Sequence, residues 1–342
     1  MGLSGRWTRT TERYRAVRFV DTVLRGAGQV MLQDNPLTGL LFLAGILWGA
    51  VAADTIAVAI GTVVGLVVAT LTAQLLNPDR TSLRSGLYGF NGALVGAATP
   101  TFLAGATALW IYLVLGAAMS TVAFMAISNV FQAWNVPALT FPFNLVNWLL
   151  LLAAFQFFRL QTSPLAAGQF PHHVGEAQAH ADIDVGYLWN TLFRNVSQIF
   201  LINDTVTGIV FVIALLVASR WAALFALLGS VVAMAMVLAL GANSLDIGNG
   251  LYGLSAVLTA IALGAVFYTP SWRVLLYTLF AVMVTVVIHG ALVTAFEPIS
   301  LVAGTGPFVF ATWLFLLPHK RIAPVQHGTI AGGPAESSET AA

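Results

Sequence analysis

The chain contains an apolar stretch with an unusual arrangement of proline and threonine, Val136-Pro137-Ala138-Leu139-Thr140-Phe141-Pro142-Phe143. A related stretch, Leu301-Val302-Ala303-Gly304-Thr305-Gly306-Pro307-Phe308, occurs 165 residues later. Both contain the pattern Thr-x-Pro-Phe, and in each copy a tryptophan follows five residues after the phenylalanine. Because two copies of so specific a pattern rarely arise by chance, we expect a duplicated structure organised around these two stretches.

Proline and threonine in these stretches indicate a polar path through apolar surroundings. In a helix, Pro142 and Pro307 would each leave unpaired the carbonyl four residues earlier, about one turn from the hydroxyl of Thr140 or Thr305. An unpaired carbonyl survives at membrane depth only inside protein or beside a polar cavity. We therefore predict two rows of oxygen acceptors that line one pore. The alternative is a pair of proline kinks in which each threonine bonds back to its own helix.

The composition indicates an integral membrane protein. Of its 342 residues, 58% are hydrophobic and 8% are charged, whereas a soluble domain has about 25% charged residues. The chain has no cysteine, which excludes disulfides, thiolate catalysis and cysteine metal sites. A net charge of +1 gives no reason to expect a nucleic acid as partner, and no cofactor is predicted.

Apolar segments of about 20 residues, long enough to cross a bilayer, occur ten times. They lie at roughly 38–53, 55–76, 86–103, 105–128, 138–158, 205–219, 221–241, 250–268, 273–295 and 301–318. Two further segments, 17–33 and 186–203, are interrupted by polar residues, and we interpret them as re-entrant or half-membrane helices. The sequence thus predicts an all-α polytopic membrane protein.

The basic residues test this count, because lysine and arginine concentrate in cytoplasmic loops. If the N-terminus is cytoplasmic and the chain crosses ten times, 12 of the 14 basic residues lie on the cytoplasmic side. Only Arg159 and Arg194 fall outside. The charge pattern therefore supports ten spans with both termini in the cytoplasm.

Three sequence blocks recur in the same order at nearly constant spacing. Residues 29–39 match 198–208, residues 86–90 match 250–254, and Thr-x-Pro-Phe completes the set, with offsets of 169, 164 and 165 residues. Each half holds five predicted spans, an odd number, so the halves must be inverted relative to each other. We expect two inverted repeats of five transmembrane helices, each with one re-entrant or tilted pore helix.

These boundaries divide the chain into five segments. They are a cytoplasmic N-terminal segment at 1–25, a first membrane repeat at 26–160, a linker at 161–185, a second membrane repeat at 186–320 and a disordered C-terminal tail at 321–342. The linker histidines, His172, His173 and His180, could bind a metal, but a solvated linker is the preferred interpretation, and no metal site is predicted.

Equivalent polar and apolar residues in the two halves are candidates for the pore lining. Gln29 and Gln198 end otherwise apolar turns, so we interpret them as pore-facing amides, with surface amides as the alternative. Two apolar pairs at i, i+4 spacing could form flat walls, with core packing as the alternative: Phe90 with Leu94, and Leu254 with Leu258.

The predicted spans carry little charge. No aspartate, glutamate or arginine lies deep in a span, where it would mark an ion or proton path. His289 is the single mid-span histidine, and we expect it to be a hydrogen-bonded core residue. Such a pore suits a neutral, planar solute with several N–H donors, of which urea is an example, because successive acceptors can replace its water.

The repeated motifs resemble those of the bacterial urea transporter family. The similarity rests on Gln-Val-x-x-Gln-x-Asn-Pro-Leu-Thr-Gly, Gly-Leu-Tyr-Gly-Phe-Asn-Gly and Leu-Pro-x-x-Thr-x-Pro-Phe, and it covers residues 26–318. The last motif departs at Val136, where the family has leucine, and at Val302 in the second copy, where it has proline. The resemblance implies a homotrimer in a bacterial inner membrane, with one pore per subunit for passive, channel-like urea flux.

The resemblance also implies roles for individual residues. Thr140 and Thr305 would belong to two oxygen ladders, with Gln29 and Gln198 as the acceptors of the pore helices. Some relatives carry a carboxylate in place of Gln198. The implied apolar slot residues are Val30, Leu32, Phe90, Leu94, Ile199, Leu201, Leu254 and Leu258.

Two other functions are compatible with a membrane protein of this composition. One is a channel for another small neutral solute, such as an amide, ammonia or water. The other is an integral membrane enzyme, which is disfavoured because the spans contain no clustered nucleophile, metal ligands or paired carboxylates.

Overall fold

The computed structural model of the protein describes residues 7, 10–76, 78–162, 170–175 and 183–318. The regular structure of these residues is helical apart from one antiparallel pair of two-residue strands, β1 (Leu103–Ala104) and β2 (Gln161–Thr162). The prediction of an all-α membrane fold is confirmed. The predicted tail at 321–342 lies outside the described residues, as does His180.

Each predicted span coincides with a helix. The first half contains α1 (Arg15–Gln29), α2 (Pro36–Ala52), α3 (Ile56–Leu76), α4 (Arg80–Arg84), α5 (Phe90–Phe102), α6 (Ala106–Gln132) and α7 (Phe141–Ala154). The second half contains α8 (Val185–Ser197), α9 (Thr205–Ala218), α10 (Arg220–Ala239), α11 (Ser244–Gly248), α12 (Leu254–Ile261, continued by a π-helix at Ala262–Phe267), α13 (Trp272–Phe296) and α14 (Gly306–Leu316). Short 3₁₀ helices follow α8 at Gln198–Phe200 and α13 at Glu297–Ile299.

Several of these helices are shorter than hydropathy indicates. Among the described residues, α3, α6, α10 and α13 are long and apolar enough to cross a membrane, and α8 with α9 forms a fifth candidate that is bent by 75°. In contrast, α7 has 14 residues and α14 has 11. An apolar but irregular segment precedes each of these two helices, and hydropathy does not separate it from the helix. The count of ten spans stays a prediction.

The two prolines of the repeated stretch begin helices instead of kinking them. Pro142 and Pro307 lie in the first turn of α7 and α14, where a missing N–H disrupts nothing. The carbonyl of Ala138 accepts the N–H of Phe141 at 3.1 Å, and the carbonyl of Ala303 accepts the N–H of Gly306 at 3.0 Å. The expectation that these carbonyls are left free is therefore wrong, and so is the alternative of a kinked helix.

The two interrupted segments form short helices, α1 and α8. Each is followed by a turn with a residue in the left-handed region, Leu32 at φ 61° and Leu201 at φ 59°. The next helix then begins with a side-chain cap, from Asn35 at α2 and from Asp204 at α9. This is the local structure predicted for half-membrane helices, whose position in the bilayer stays a prediction.

Equivalent residues of the two halves contact each other where α2 packs against α9. Phe42 lies edge-on to Phe211, its counterpart at the offset of 169 residues, with ring centroids 5.0 Å apart. The Thr38 hydroxyl donates to the carbonyl of Ala214, and the Thr207 hydroxyl donates to that of Gly45, both at 2.9 Å. Reciprocal contacts of this kind are the pattern of a two-fold axis. The inversion of the halves relative to a membrane stays a prediction.

Candidate functional site at the contact between the halves

The two copies of the repeated stretch meet in the core of the protein. The Oγ1 atoms of Thr140 and Thr305 lie 2.7 Å apart and are hydrogen-bonded to each other, and each residue is only 2% exposed. Neither hydroxyl bonds to its own helix. The alternative in which each threonine bonds back to its helix is therefore wrong for this structure.

Backbone geometry explains why the hydroxyls face across the contact. The residue before each threonine has left-handed backbone angles, Leu139 at φ 52° and Gly304 at φ 55°. In each copy the threonine is the residue directly before the helix, and its hydroxyl forms no cap bond to that helix. Because the two turns face each other across the contact between the halves, the two threonine hydroxyls meet.

Asn144 joins the two turns, a role that was not predicted from its place in the sequence. Its Nδ2 donates to the Thr140 carbonyl and to the Thr305 hydroxyl, both at 2.9 Å, and its Oδ1 accepts the Thr305 N–H at 3.0 Å. The signal in the sequence was an asparagine one turn after Thr140, where the second copy has Val309. One buried amide thus holds the threonine of the other half.

A second pair of polar residues braces the turns from α5 and α12. Asn91 accepts the N–H of Phe143 at 3.0 Å and donates to the carbonyl of Leu139 at 3.5 Å. Ser255 lies at the equivalent position and donates to the carbonyl of Gly304 at 3.4 Å. Both follow the repeated Gly-Leu-Tyr-Gly motif, which could have identified them as a pair.

The two tryptophans of the repeat form reciprocal bonds between the halves. The indole N–H of Trp148 donates to the carbonyl of Val302 at 2.9 Å, and that of Trp313 donates to the carbonyl of Pro137 at 2.8 Å. Each tryptophan therefore fixes the segment that leads into the other copy of the turn. Their spacing was visible in the sequence, but their partners were not.

Gln29 and Gln198 are buried amides in equivalent settings. They are 9% and 7% exposed, so the alternative of surface amides is wrong. The Nε2 of Gln29 donates to the carbonyl of Ser85 at 2.9 Å, and that of Gln198 donates to the carbonyl of Asn249 at 2.8 Å. Because a carbonyl can only accept, these bonds determine which end of each amide carries the hydrogens. The side-chain oxygens are left available as acceptors.

The structure brings half of the predicted pore residues together around one small enclosed cavity. They are Leu94, Gln198, Ile199, Leu201, Leu254 and Thr305. The cavity has a volume of about 20 Å³, which is room for about one water molecule. The other six are not among its lining residues, and most of them are buried in the same core: Gln29, Val30, Leu32, Phe90, Thr140 and Leu258.

Comparisons with known proteins identify the family of the chain. The family model described as urea transporter matches residues 20–320. The chain belongs to the urea transporter family. Urea transporter 1 of Rattus norvegicus is 32% identical over 308 residues, which cover 88% of this chain and 77% of that protein. Urea transporter 1 of Ovis aries is 32% identical over 310 residues, covering 89% and 78%. The resemblance to the urea transporter family deduced from the sequence is confirmed, whereas a bacterial origin stays a prediction.

In this member of the urea transporter family, a wider cavity adjoins the small one. It has a volume of about 340 Å³ and shares Leu201, Leu254 and Gly304 with the small cavity. His289 lies on its wall, with its ring centroid 4.8 Å from that of Tyr252 and the two rings tilted by 54°. The His289 Nδ1 has no partner among the described residues. The expectation that His289 is a core residue is confirmed, since it is 6% exposed, but the expected hydrogen bond is not formed within the described residues.

The wall of the wider cavity also carries the carboxyl groups of Asp246 and Glu297. Burial raises the pKa of Asp246 above its ordinary value. Within the described residues, no group of three histidine or acidic side chains could hold a metal ion. His172 and His173 of the linker are exposed.

Proposed function

We propose that this protein conducts urea passively across a membrane, through a pore between two inverted repeats. The observation that carries the proposal is the buried contact between Thr140 and Thr305, where equivalent hydroxyls from the two halves meet at 2.7 Å. Membership of the urea transporter family, and the names of the relatives, support urea as the solute.

In this proposal four acceptors lie in sequence along the path. They are the amide oxygen of Gln198, the two threonine hydroxyls and the amide oxygen of Gln29. Removing urea from water costs about 2–7 kcal/mol for each polar group that finds no partner. The N–H groups of urea would pass from one acceptor to the next, so that no step leaves more than a few donors unpaired.

The apolar residues serve the flat faces of the solute. Leu94, Ile199, Leu201 and Leu254, which surround the small cavity, supply one set of walls. Val30, Leu32, Phe90 and Leu258 supply the equivalent set in the proposal. An ion would meet these walls without a counter-charge and would lose its hydration energy, so the path favours an uncharged solute.

The narrowest point lies at the threonines. A cavity of about 20 Å³ is too small for urea, so side chains must move as the solute passes. Because the threonine contact would open during each passage, the barrier to flux depends on how easily this bond is exchanged for a bond to urea.

The remaining features of the proposal come from the family resemblance and the charge pattern. They are a homotrimer with one pore per subunit, a bacterial inner membrane as location, and cytoplasmic termini. The segment boundaries at 25, 160, 185 and 320 are part of the same proposal.

Urea efflux from proteoliposomes tests the proposed function. Vesicles with the protein should release urea faster than empty vesicles, and collapsing proton or sodium gradients should leave the rate unchanged, since no intramembrane carboxylate couples an ion to the solute. Accumulation of urea against its gradient that depends on either ion would contradict passive transport.

The same vesicles distinguish the alternatives. Faster flux of formamide, acetamide, methylammonium or water than of urea would favour a channel for another small solute. Chemical loss of urea during the assay, measured as total urea recovered inside and outside, would favour an enzyme.

A further inference from the structure

A basic cavity lies between α1, the end of α3, and α4, away from the proposed pore. Four arginines line it, Arg15, Arg18, Arg80 and Arg84, and its volume is about 800 Å³. None of the described residues that line it is acidic. Four like charges in one concave surface repel one another unless an anion joins them.

The three aspartates near this cavity have other partners, and Glu12 forms no ion pair with a described residue. The ion pairs within the described residues are those of Arg25, which binds Asp21 and Asp34. Asp79 accepts the N–H of Ser82 and caps α4. Of the four lining arginines, only Arg18 has a hydrogen bond among the described residues, to the backbone carbonyls of residues 11 and 12. The cavity therefore retains most of its capacity to bind an anion.

The equivalent place in the second half is occupied by the side chain of Tyr187. Tyr187 stands where the first half has Arg18, and its hydroxyl donates to the carbonyl of Ser244, the counterpart of Arg80, at 2.7 Å. Gly248 replaces Arg84, and a Cβ atom there would lie 2.8 Å from the Tyr187 ring. The fold can thus fill this place with its own side chains, and in the first half it holds an open basic cavity instead.

Apolar residues adjoin the basic ones. Phe19 and Leu71 line the cavity, and it lies at the end of the long apolar helix α3, where Leu75 is 86% exposed. A transmembrane helix ends at the level of the lipid headgroups. Guanidinium groups therefore meet apolar surface at the depth where a phospholipid carries its phosphate and its first acyl carbons.

We propose that this cavity binds the headgroup of an anionic phospholipid. Arginines bind phosphate with several parallel N–H bonds, and basic pockets between membrane helices bind anionic headgroups. A free phosphate would satisfy the arginines but would leave Phe19 and Leu71 in water, whereas the acyl chains of a lipid cover them. The proposal therefore commits to a lipid.

The position of the cavity connects the lipid to solute flux. α1 ends at Gln29, and α4 leads into Ser85, whose carbonyl holds the Gln29 amide. A headgroup bound to arginines of α1 and of α4 links the same two elements on their outer side. Bound lipid should therefore stabilise the orientation of Gln29, an inference that rests on the proposed urea pore.

Binding of fluorescent phosphatidylglycerol to the full chain in detergent tests the site without any transport. Replacing two charges, in Arg80→Gln with Arg84→Gln, should weaken binding roughly tenfold. Arg80→Lys with Arg84→Lys keeps the charge and should restore most of the affinity. The matched control is Arg220→Gln with Arg273→Gln, two exposed arginines outside the cavity that are predicted to lie on the same side of the membrane, which should leave binding unchanged.

Competition identifies the ligand. Unlabelled phosphatidylglycerol should displace the probe, and phosphatidylcholine or inorganic phosphate at the same concentration should not. Displacement by inorganic phosphate would show that the cavity binds a free anion instead of a lipid. Binding by the Arg80→Gln, Arg84→Gln variant as tight as that of wild type would contradict the proposed site.

Urea flux in the same lipids separates the two proposals. We expect roughly twofold faster flux in vesicles with phosphatidylglycerol than in phosphatidylcholine alone, and no such difference for the Gln variant. Lipid binding without urea flux in any vesicle would contradict the proposed function and leave the lipid site standing. Equal flux in both lipids, with binding as expected, would overturn the link to Gln29.

Discussion

The two copies of the central turn share their backbone but differ in how they are braced. Leu139 and Gly304 have φ angles of 52° and 55°, and the indole of a tryptophan from the other half clamps each copy. The duplication therefore reproduces the geometry that brings the two hydroxyls to one point. This geometry requires only the left-handed turn and an indole N–H that donates to the backbone before it.

The bracing differs because Asn144 has no equivalent. The second copy has Val309 in its place, so Thr305 is bonded by Asn144 through both its N–H and its hydroxyl, whereas the Thr140 hydroxyl has only Thr305. Thr140 thus keeps the freedom to exchange its partner. The duplicated backbone places the two threonine hydroxyls alike. Asn144, which has no counterpart in the second copy, fixes Thr305 and leaves the Thr140 hydroxyl free to change its partner.

The largest expected effect comes from deleting either hydroxyl. Thr305→Val removes two hydrogen bonds and should slow urea flux by roughly 10- to 100-fold, whereas Thr140→Val removes one and should slow it by roughly three- to tenfold. Flux is measured in proteoliposomes and divided by the amount of folded protein. Thr→Ser at either position keeps the oxygen and should be milder.

Thr62→Val is the matched control for the threonine pair, because Thr62 is buried and its hydroxyl bonds to its own helix at Val58. Its flux should equal that of wild type. Equal losses at Thr140 and Thr305 would contradict the asymmetry, and wild-type flux for both would contradict the pore.

An intermediate effect is expected at Gly304. In Gly304→Ala the new Cβ would lie 2.7 Å from the Asn144 Oδ1 in a left-handed residue, so Asn144 must move away from Thr305. We expect a loss of about 1–3 kcal/mol of stability and a severalfold loss of flux, measured by thermal unfolding in detergent and by urea efflux.

Gly241→Ala is the control that separates the steric clash with Asn144 from the strain of a left-handed backbone. Gly241 has φ 72°, and a Cβ there meets nothing within 4 Å, so the change adds backbone strain alone. It should lower stability by about 1 kcal/mol and leave flux unchanged. If the two alanine variants behave alike, the contact with Asn144 has no part in positioning Thr305.

The smallest effect is expected from the tryptophans. Trp148→Phe and Trp313→Phe each delete one indole donor and should each cost about 0.5–1.5 kcal/mol of stability, with flux within about twofold of wild type. Thermal unfolding and efflux measure both, and the exposed Trp48→Phe is the control. A large loss for one tryptophan and none for the other would show that the two clamps are not equivalent.

Much of this molecule could be predicted from the sequence because the information is local or duplicated. Apolar periodicity predicts the helices, and the repeated blocks predict that Thr140 corresponds to Thr305 and Gln29 to Gln198. The residues at which helices begin were harder to predict. Pro142 was compatible with a kink and with a helix start, and the choice depended on the left-handed residue before Thr140, which hydropathy does not report.

The sequence alone determined the class of protein, its duplicated halves and the residues at their centre, because composition and repetition do not depend on how the chain packs. Only the tertiary structure decided that Asn144 bonds across to Thr305. It also decided that four arginines line a cavity in the first half, whereas Tyr187 occupies the equivalent place in the second. These features arise from contacts between residues distant in the chain, whose distances are set by the packing of whole helices.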